Sequence, residues 1–306
     1  MSGLRARAEE YLAMRRALGF KLVSQGPRLM SFVRFCEQRG ADRVTADLAV
    51  EWATATRGDE VNQARRLDVV RIFARHLQPL DPATEVPADD VLSRRYRRIP
   101  PYLYSPEEVS ALVSAAGGLR PAIRAAGWQA LIGLLAVTGM RPGEACRLGR
   151  GDVDLEAGTI VIADSKFGKS RMVFLDPTAV TALRGYARVR DEAFPETAAF
   201  LVNGCGRPLR GSYLPHVFAP LAEAAGIQAP PGQRAPRLHD LRHAFAVATL
   251  LDWYRDGGDV QARLPVLSTW LGHVDPKSTY WYLQAVPELL ALAAGRLEPA
   301  DQKEVR

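Results

Sequence analysis

LGHVDPKSTYWYL, residues 271–283, closes one helix and opens another. Leu271, Gly272 and His273 end the first. Asp275 and Pro276 begin the second, where an aspartate can cap and a proline's missing N–H costs nothing. The second helix carries two tyrosines, Tyr280 and Tyr282. Two residues of helix rotate by about 200°, so the two phenols point to nearly opposite sides and cannot face one site. Trp281 lies between them and is expected to pack. Whether either phenol reacts depends on the groups that the rest of the chain supplies.

Three other stretches place polar groups where a core pattern would not. PRLHDLRHAF, residues 236–245, holds His239 and Arg242 on one face of a helix start. The free N–H groups of a helix N-terminus attract anions, so an imidazole and a guanidinium there form a phosphate cradle. Standing alone, the stretch reads more readily as a core histidine beside a surface arginine. TGMRPGEACRL, residues 138–148, sets Arg141 at a tight corner after an apolar helix, with Glu144 three residues on to fix the guanidinium. An arginine capping a helix end explains that stretch by itself just as well. SKFGKS, residues 165–170, puts Lys166 and Lys169 in a hairpin turn. Such a lysine is usually only solvated, but it can also pass a proton to a leaving oxygen.

Working outward, the first 80 residues read as helices. LRARAEEYLAMRRALGF and GPRLMSFVRFCEQRG space their apolar residues helically. TADLAVEWATAT starts on a capping Thr45, and NQARRLDVVRIFARHL follows without a credible strand. Residues 81–104 then change composition. Four prolines and the pairs Arg94–Arg95 and Arg97–Arg98 make a basic, extended linker that can strap across a phosphate backbone. SPEEVSALVSAAGG restarts the fold with a Ser105 cap, Pro106 at the first helical position and Glu108 closing a capping box. PAIRAAGWQALIGLLAVTG is an apolar helix closed by Gly139, and GTIVIADSKFGKSRMVFL alternates as a hairpin around a glycine turn. DPTAVTALRGYARVRDEA returns to helix. The expected fold is mainly α with a small antiparallel sheet. It has a helical domain over 1–80, a linker over 81–104, a second domain over 105–298 and a tail over 299–306.

Composition agrees with a nucleic-acid partner without proving one. The 306 residues are 47% hydrophobic, carry a net charge of +6 and have a pI near 9.4. The basic set is mostly arginine, whose planar fork grips phosphate, although a GC-rich genome would give the same bias. Cys36, Cys146 and Cys205 are far apart and have no metal-ligand spacing, which fits a reducing compartment. The N-terminus has no apolar signal core and no apolar run approaches about 18 residues, so a cytoplasmic protein on the nucleoid, with no membrane contact, is expected.

Taken in order, Arg141, Lys166, His239 with Arg242, the triplet Leu271-Gly272-His273, and Tyr282 resemble the tyrosine recombinase, or phage integrase, family. Each motif is weak alone; five in order with suitable gaps are specific. The resemblance covers roughly residues 105–297. In that family the nucleophile lies nine residues after the histidine of the triplet, which selects Tyr282 over Tyr280. The resemblance implies DNA strand exchange through a covalent 3′-phosphotyrosyl intermediate, with integration, excision or transposition of a mobile element as the outcome. Arg141 and Arg242 would bind the non-bridging oxygens and stabilise the charge of the transition state. His239 and His273 would add hydrogen bonds to the phosphate, with His239 the candidate for assisting proton removal. Lys166 would be the general acid for the 5′-oxygen, and Lys169 is the fallback. Glu144 and His243 also match common positions, as groups orienting the arginine and the helix. No metal or other cofactor is implied, because the protein's own cations replace one and the phosphotyrosine bond conserves the backbone energy.

The resemblance also implies a two-domain clamp on double-stranded DNA. The helical first domain would be a SAM-like core-binding domain that matches the family only in kind, and the second an integrase-like catalytic domain. YLAMRRALGFKL is similar to transposon-borne members. Arg94, Arg95, Arg97, Arg98 and Lys169 are the expected DNA contacts. A homotetramer on two DNA sites is expected, with related recombinases of the same element as further candidate partners. The helix in AVPELLALAAGRLE either covers its own core or docks on a neighbouring protomer. Two rival readings remain. One is a catalytically silent DNA-binding accessory protein of a mobile element. The other is a metal-dependent nuclease using Asp152 and Asp154, whose position before a hairpin looks more like turn chemistry.

Overall fold

The computed structural model describes residues 3–56, 60–92, 100–163, 170–230, 232–273, 279–282 and 287–295. The chain divides into two compact units, Met1–Arg98 and Ile99–Arg306. The predicted DNA contacts Arg94, Arg95, Arg97, Arg98 and Lys169 and the predicted general acid Lys166 lie outside the described residues, as do Asp275 and Pro276. Among the described residues no helix is long and apolar enough to cross a membrane.

The first unit contains α1 (Gly3–Ala17), α2 (Gln25–Gln38), α3 (Ala46–Thr54) and α4 (Glu60–Leu77). Leu4, Ala8 and Leu12 recur every four residues and form one buried stripe, against which Leu29, Phe32, Val33 and Phe73 pack. Thr45 starts α3 by accepting a hydrogen bond from the Leu48 N–H at 3.3 Å. The apolar pattern overruns α1, which stops at Ala17 because Gly19 turns to φ 87°. Phe20 is therefore exposed and carries the Arg15 guanidinium 4.0 Å above its ring. Part of the proline-rich segment lies on this unit. The buried Arg71 donates to the carbonyls of Pro87 at 2.8 Å and Ala88 at 2.7 Å, and Val86 and Leu92 pack on the core.

The second unit opens with α5 (Pro106–Gly117), started by the Ser105–Glu108 capping box. It continues with α6 (Ala122–Thr138) and α7 (Pro142–Ala145), then β1 (Val153–Asp154), β2 (Thr159–Ile162) and β3 (Arg171–Phe174). Then come α8 (Pro177–Ala193), α9 (Leu214–Ala224), α10 (Asp240–Arg255), α11 (Val260–Leu271) and α12 (Pro287–Gly295), with residues 279–282 also helical. The strands form one antiparallel sheet in the order β1-β2-β3, with Ile160 opposite Val173 and Ile162 opposite Arg171. The mainly helical fold with a minor sheet is as the sequence predicts; the short β1 is an addition. α6 is the central element, burying Trp128, Leu131, Ile132 and Leu135. A second cluster joins Ala246, Val247 and Leu250 of α10 to Leu267 and Leu271 of α11, Tyr282, and Leu289 of α12. Asp152 accepts from the Gly149 N–H at 2.8 Å, and Asp154 accepts from the N–H groups of Glu156 and Ala157 at 2.9 and 2.8 Å. Both carboxylates thus serve the backbone of their own turns, as the turn reading of them holds.

Candidate active site

The site is assembled from the ends of helices. α6 and α11 both stop on a glycine in the left-handed region, Gly139 at φ 61° and Gly272 at φ 67°. The last carbonyls of a helix have no partner within it and carry partial negative charge. Here arginines supply the donors. Arg242, only 2% exposed, donates to the Gly139 carbonyl at 2.8 Å and the Leu271 carbonyl at 2.7 Å. Arg141 donates to the Gly272 carbonyl at 3.1 Å. Arg171 donates to the Trp270 carbonyl at 2.7 Å. Three consecutive carbonyls at the end of α11 therefore hold three guanidiniums in register.

Glu144 binds two of them from the other side. Its carboxylate accepts from Arg141 Nη1 at 2.7 Å, from the Arg141 N–H at 3.0 Å and from Arg171 Nη2 at 2.7 Å. Burial alone would push this carboxyl up. The hydrogen bonds and charges of Arg171 and Arg141 outweigh burial and hold it at about 2. It is a fixed anion at any pH where the protein works. Burial also lowers the Arg242 pKa to about 10, with the charge of Arg141 adding to the effect, so Arg242 remains a cation at neutral pH.

Tyr282 is 2% exposed and lies against this cluster. Its hydroxyl is 3.0 Å from His243 Nδ1. Burial raises the phenol's pKa, while the charges of Arg242 and Arg141 pull it back. His273 stacks on the Tyr282 ring, centroids 6.3 Å apart at 20°, and its Nδ1 is held by Thr279 Oγ1 at 2.7 Å. His239 meets His243 edge to face at 5.2 Å. All three histidines are half-buried, and burial is the first cause of their low pKa values, about 4 for His239, about 4 for His243 and about 3 for His273. The cationic neighbours Arg242 and Arg141 or Arg237 add to the effect. The imidazoles are neutral at pH 7, and the site's positive charge resides on the arginines.

Of the residues predicted from sequence, Arg141, Arg242, His273 and Tyr282 come together, and His239 reaches the group through His243. Tyr280 is 42% exposed, with its hydroxyl 3.5 Å from Gln261 Oε1, so the two phenols do diverge. Two features differ from expectation. His243, expected with Glu144 to orient the arginine and the helix, places its Nδ1 3.0 Å from the phenol. Arg171 was not singled out at all. Its signal was available: it shares the inner face of β3 with the buried Val173, and a charged residue in phase with a core position needs a buried partner. The glycines are sterically required. A Cβ at Gly139 would lie 2.4 Å from Phe245 Cδ1, and one at Gly272 would lie 2.8 Å from Arg171 Nη1.

Comparison with known proteins agrees with this geometry. The phage integrase family profile matches residues 104–288. A Sinorhizobium fredii protein named as an integrase/recombinase, y4rB, is 38% identical over 97% of this chain and 98% of its own length. The tyrosine recombinase XerD of Rhizobium meliloti is 30% identical over 75% of this chain and 71% of that protein. Among solved structures, a lambda integrase tetramer bound to a Holliday junction superposes with a TM-score of 0.63 at 15% identity, covering 91% of this chain and 76% of that one, which speaks to the fold alone. With the family profile covering most of the second unit and relatives aligned along nearly the whole chain, the protein belongs to the phage integrase family of tyrosine recombinases.

Proposed function

We propose that Tyr282 is the nucleophile with which this tyrosine recombinase breaks and rejoins DNA at specific sites. The observation that carries the assignment is the position of its hydroxyl, 3.0 Å from His243 and under the charges of Arg242 and Arg141. The two guanidiniums are held by helix-end carbonyls and Glu144, so they need not reorganise when a phosphodiester arrives. Each offers its remaining N–H groups to the non-bridging oxygens. Arg141, whose side chain is 29% exposed, is the more open of the two guanidiniums to an incoming phosphate. The phenolic oxygen attacks phosphorus, the 5′-oxygen leaves, and a 3′-phosphotyrosyl bond keeps the energy of the broken strand. His239 and His273, neutral, serve as hydrogen-bond partners for the phosphate. Lys166, or else Lys169, supplies the proton to the 5′-oxygen.

The partner is double-stranded DNA, gripped in addition by the arginines of residues 94–98, so binding weakens steeply with salt. Exchange between two sites needs a tetramer, a state in which lambda integrase has been solved on a Holliday junction. The setting is a mobile element in the cytoplasm, on the nucleoid. The test is covalent capture. The full chain is incubated in EDTA with a library of nicked duplexes of randomised sequence, and adducts that survive SDS are recovered. Tyr282→Phe is expected to form none and Tyr280→Phe to form them normally. Adducts from Tyr282→Phe would reject the assignment, and DNA binding without any adduct would point to the accessory reading.

A further inference from the structure

We infer that His243 is the group that takes the proton from Tyr282 during strand cleavage and returns it during strand joining. The inference rests on the reading of Tyr282 as nucleophile and adds a catalytic residue to it. Its Nδ1 lies 3.0 Å from the phenolic oxygen, within proton-transfer reach. The other described groups at the ring are not suited to the task. Arg242 and Arg141 carry their protons and cannot accept another. His273 stacks on the ring and commits its Nδ1 to Thr279. His239 meets the imidazole of His243 rather than the phenol. One turn of α10 separates His239 from His243, so both project from one face, and the position nearer the tyrosine is 243.

The step balances as follows. The Tyr282 O–H bond breaks and its proton moves to His243 Nδ1. The phenolate oxygen bonds to phosphorus while the bond from phosphorus to the 5′-oxygen breaks, and that oxygen takes a proton from the lysine assigned above. In joining, the incoming 5′-hydroxyl returns its proton to that lysine as its oxygen bonds to phosphorus, the bond from phosphorus to the phenolic oxygen breaks, and the departing phenolate recovers the proton from Nδ1. The groups around His243 are Tyr282, Trp281, His239, Arg242 and Arg237. Its nearby charges are cationic, so the imidazolium formed in cleavage is repelled by its surroundings and readily gives its proton back. The same cations stabilise the phenolate, which lowers the demand on a weak base.

A role in positioning the ring predicts the same loss of activity on mutation, so the test has to separate the two. Codon suppression places 3,5-difluorotyrosine, a more acidic phenol, at position 282. Single-turnover cleavage of a nicked duplex recovered from the library is then measured with either phenol, in the unsubstituted protein and in His243→Gln. With tyrosine, His243→Gln is expected to slow cleavage about 100-fold, within the range for a general base. With difluorotyrosine the gap should shrink to a few-fold, because the phenol ionises without help. Imidazole added to His243→Gly should restore cleavage. Equal rates for His243→Gln and the unsubstituted protein would overturn the inference, as would a deficit of the same size with both phenols. If the unsubstituted protein forms no adduct with any duplex, the nucleophile reading itself fails and takes this inference with it.

Discussion

Gly139 and Gly272 each do two things at once. Each ends a helix in the left-handed region, and each leaves its carbonyl facing an arginine, Arg242 at 2.8 Å and Arg141 at 3.1 Å. The first role was readable from the chain, since a glycine after an apolar helical run is a common stop. The second was not, because Arg242 and Gly139 are separated by 103 positions and nothing local announces the bond. The two sites should respond differently to alanine. Both pay about 1–2 kcal/mol for a left-handed alanine. At Gly139 the new methyl would also strike the Phe245 ring at 2.4 Å, a side chain stacked on Trp270, so the core has to shift. At Gly272 the methyl meets the Arg171 guanidinium, which can move only by loosening Glu144 and the Trp270 carbonyl. Denaturant titration should therefore show Gly139→Ala as the less stable variant. Gly272→Ala should show the larger loss of cleavage for each kcal/mol of stability lost. The reverse order in both assays would mean that the carbonyl register at the end of α11 does not govern the arginines.

Between elements, Glu144 on α7 ties β3 to the end of α11 through Arg171 and Arg141. Its carboxylate is almost fully buried, and Arg171's side chain is only 8% exposed. Removing one partner of such a group leaves a buried charge without compensation, which typically costs about 3–5 kcal/mol. Glu144→Gln is accordingly expected to lower stability by that order and to weaken cleavage. Ser105→Ala, which removes the α5 cap, should cost about 1 kcal/mol and leave the rate of cleavage of bound DNA unchanged. A chemical denaturation series with single-turnover rates on the same samples distinguishes them, and equal effects on rate would refute the link. The caps at Ser105 and Thr45 were plain in the sequence, because each is decided by residues three positions apart. The Arg171–Glu144 pair was hidden for the opposite reason. Its members sit on a strand and a one-turn helix, 27 positions apart, and only the sheet's inward face brings them together.

Across the whole molecule, the division into a helical unit and a unit with a small sheet follows from composition and periodicity. The electrostatic state of the site does not, since it depends on burial. Three histidines with pKa values near 4, 4 and 3 in one folded unit carry a consequence for stability. In the unfolded chain each titrates near about 6.5. As pH falls below that value the unfolded state gains protons that the folded state does not, at about 1.4 kcal/mol per pH unit for each histidine held neutral. The stability is therefore fully present above pH about 6.5 and is lost as pH falls toward the folded values. Glu144 acts lower, its contribution beginning to fall only below its ordinary value near about 4.3. The window from pH 6.5 to 4.5 thus belongs to the histidines. Denaturant midpoints should drop through that window for the unsubstituted protein and drop less for His239→Asn or His273→Asn. DNA should oppose the drop, because a phosphate beside His239 and His273 favours their charged forms and so raises their pKa values. A midpoint that stays flat from pH 7 to 5 without DNA would show that these imidazoles are not buried in solution, and the neutral base proposed at His243 would lose its footing.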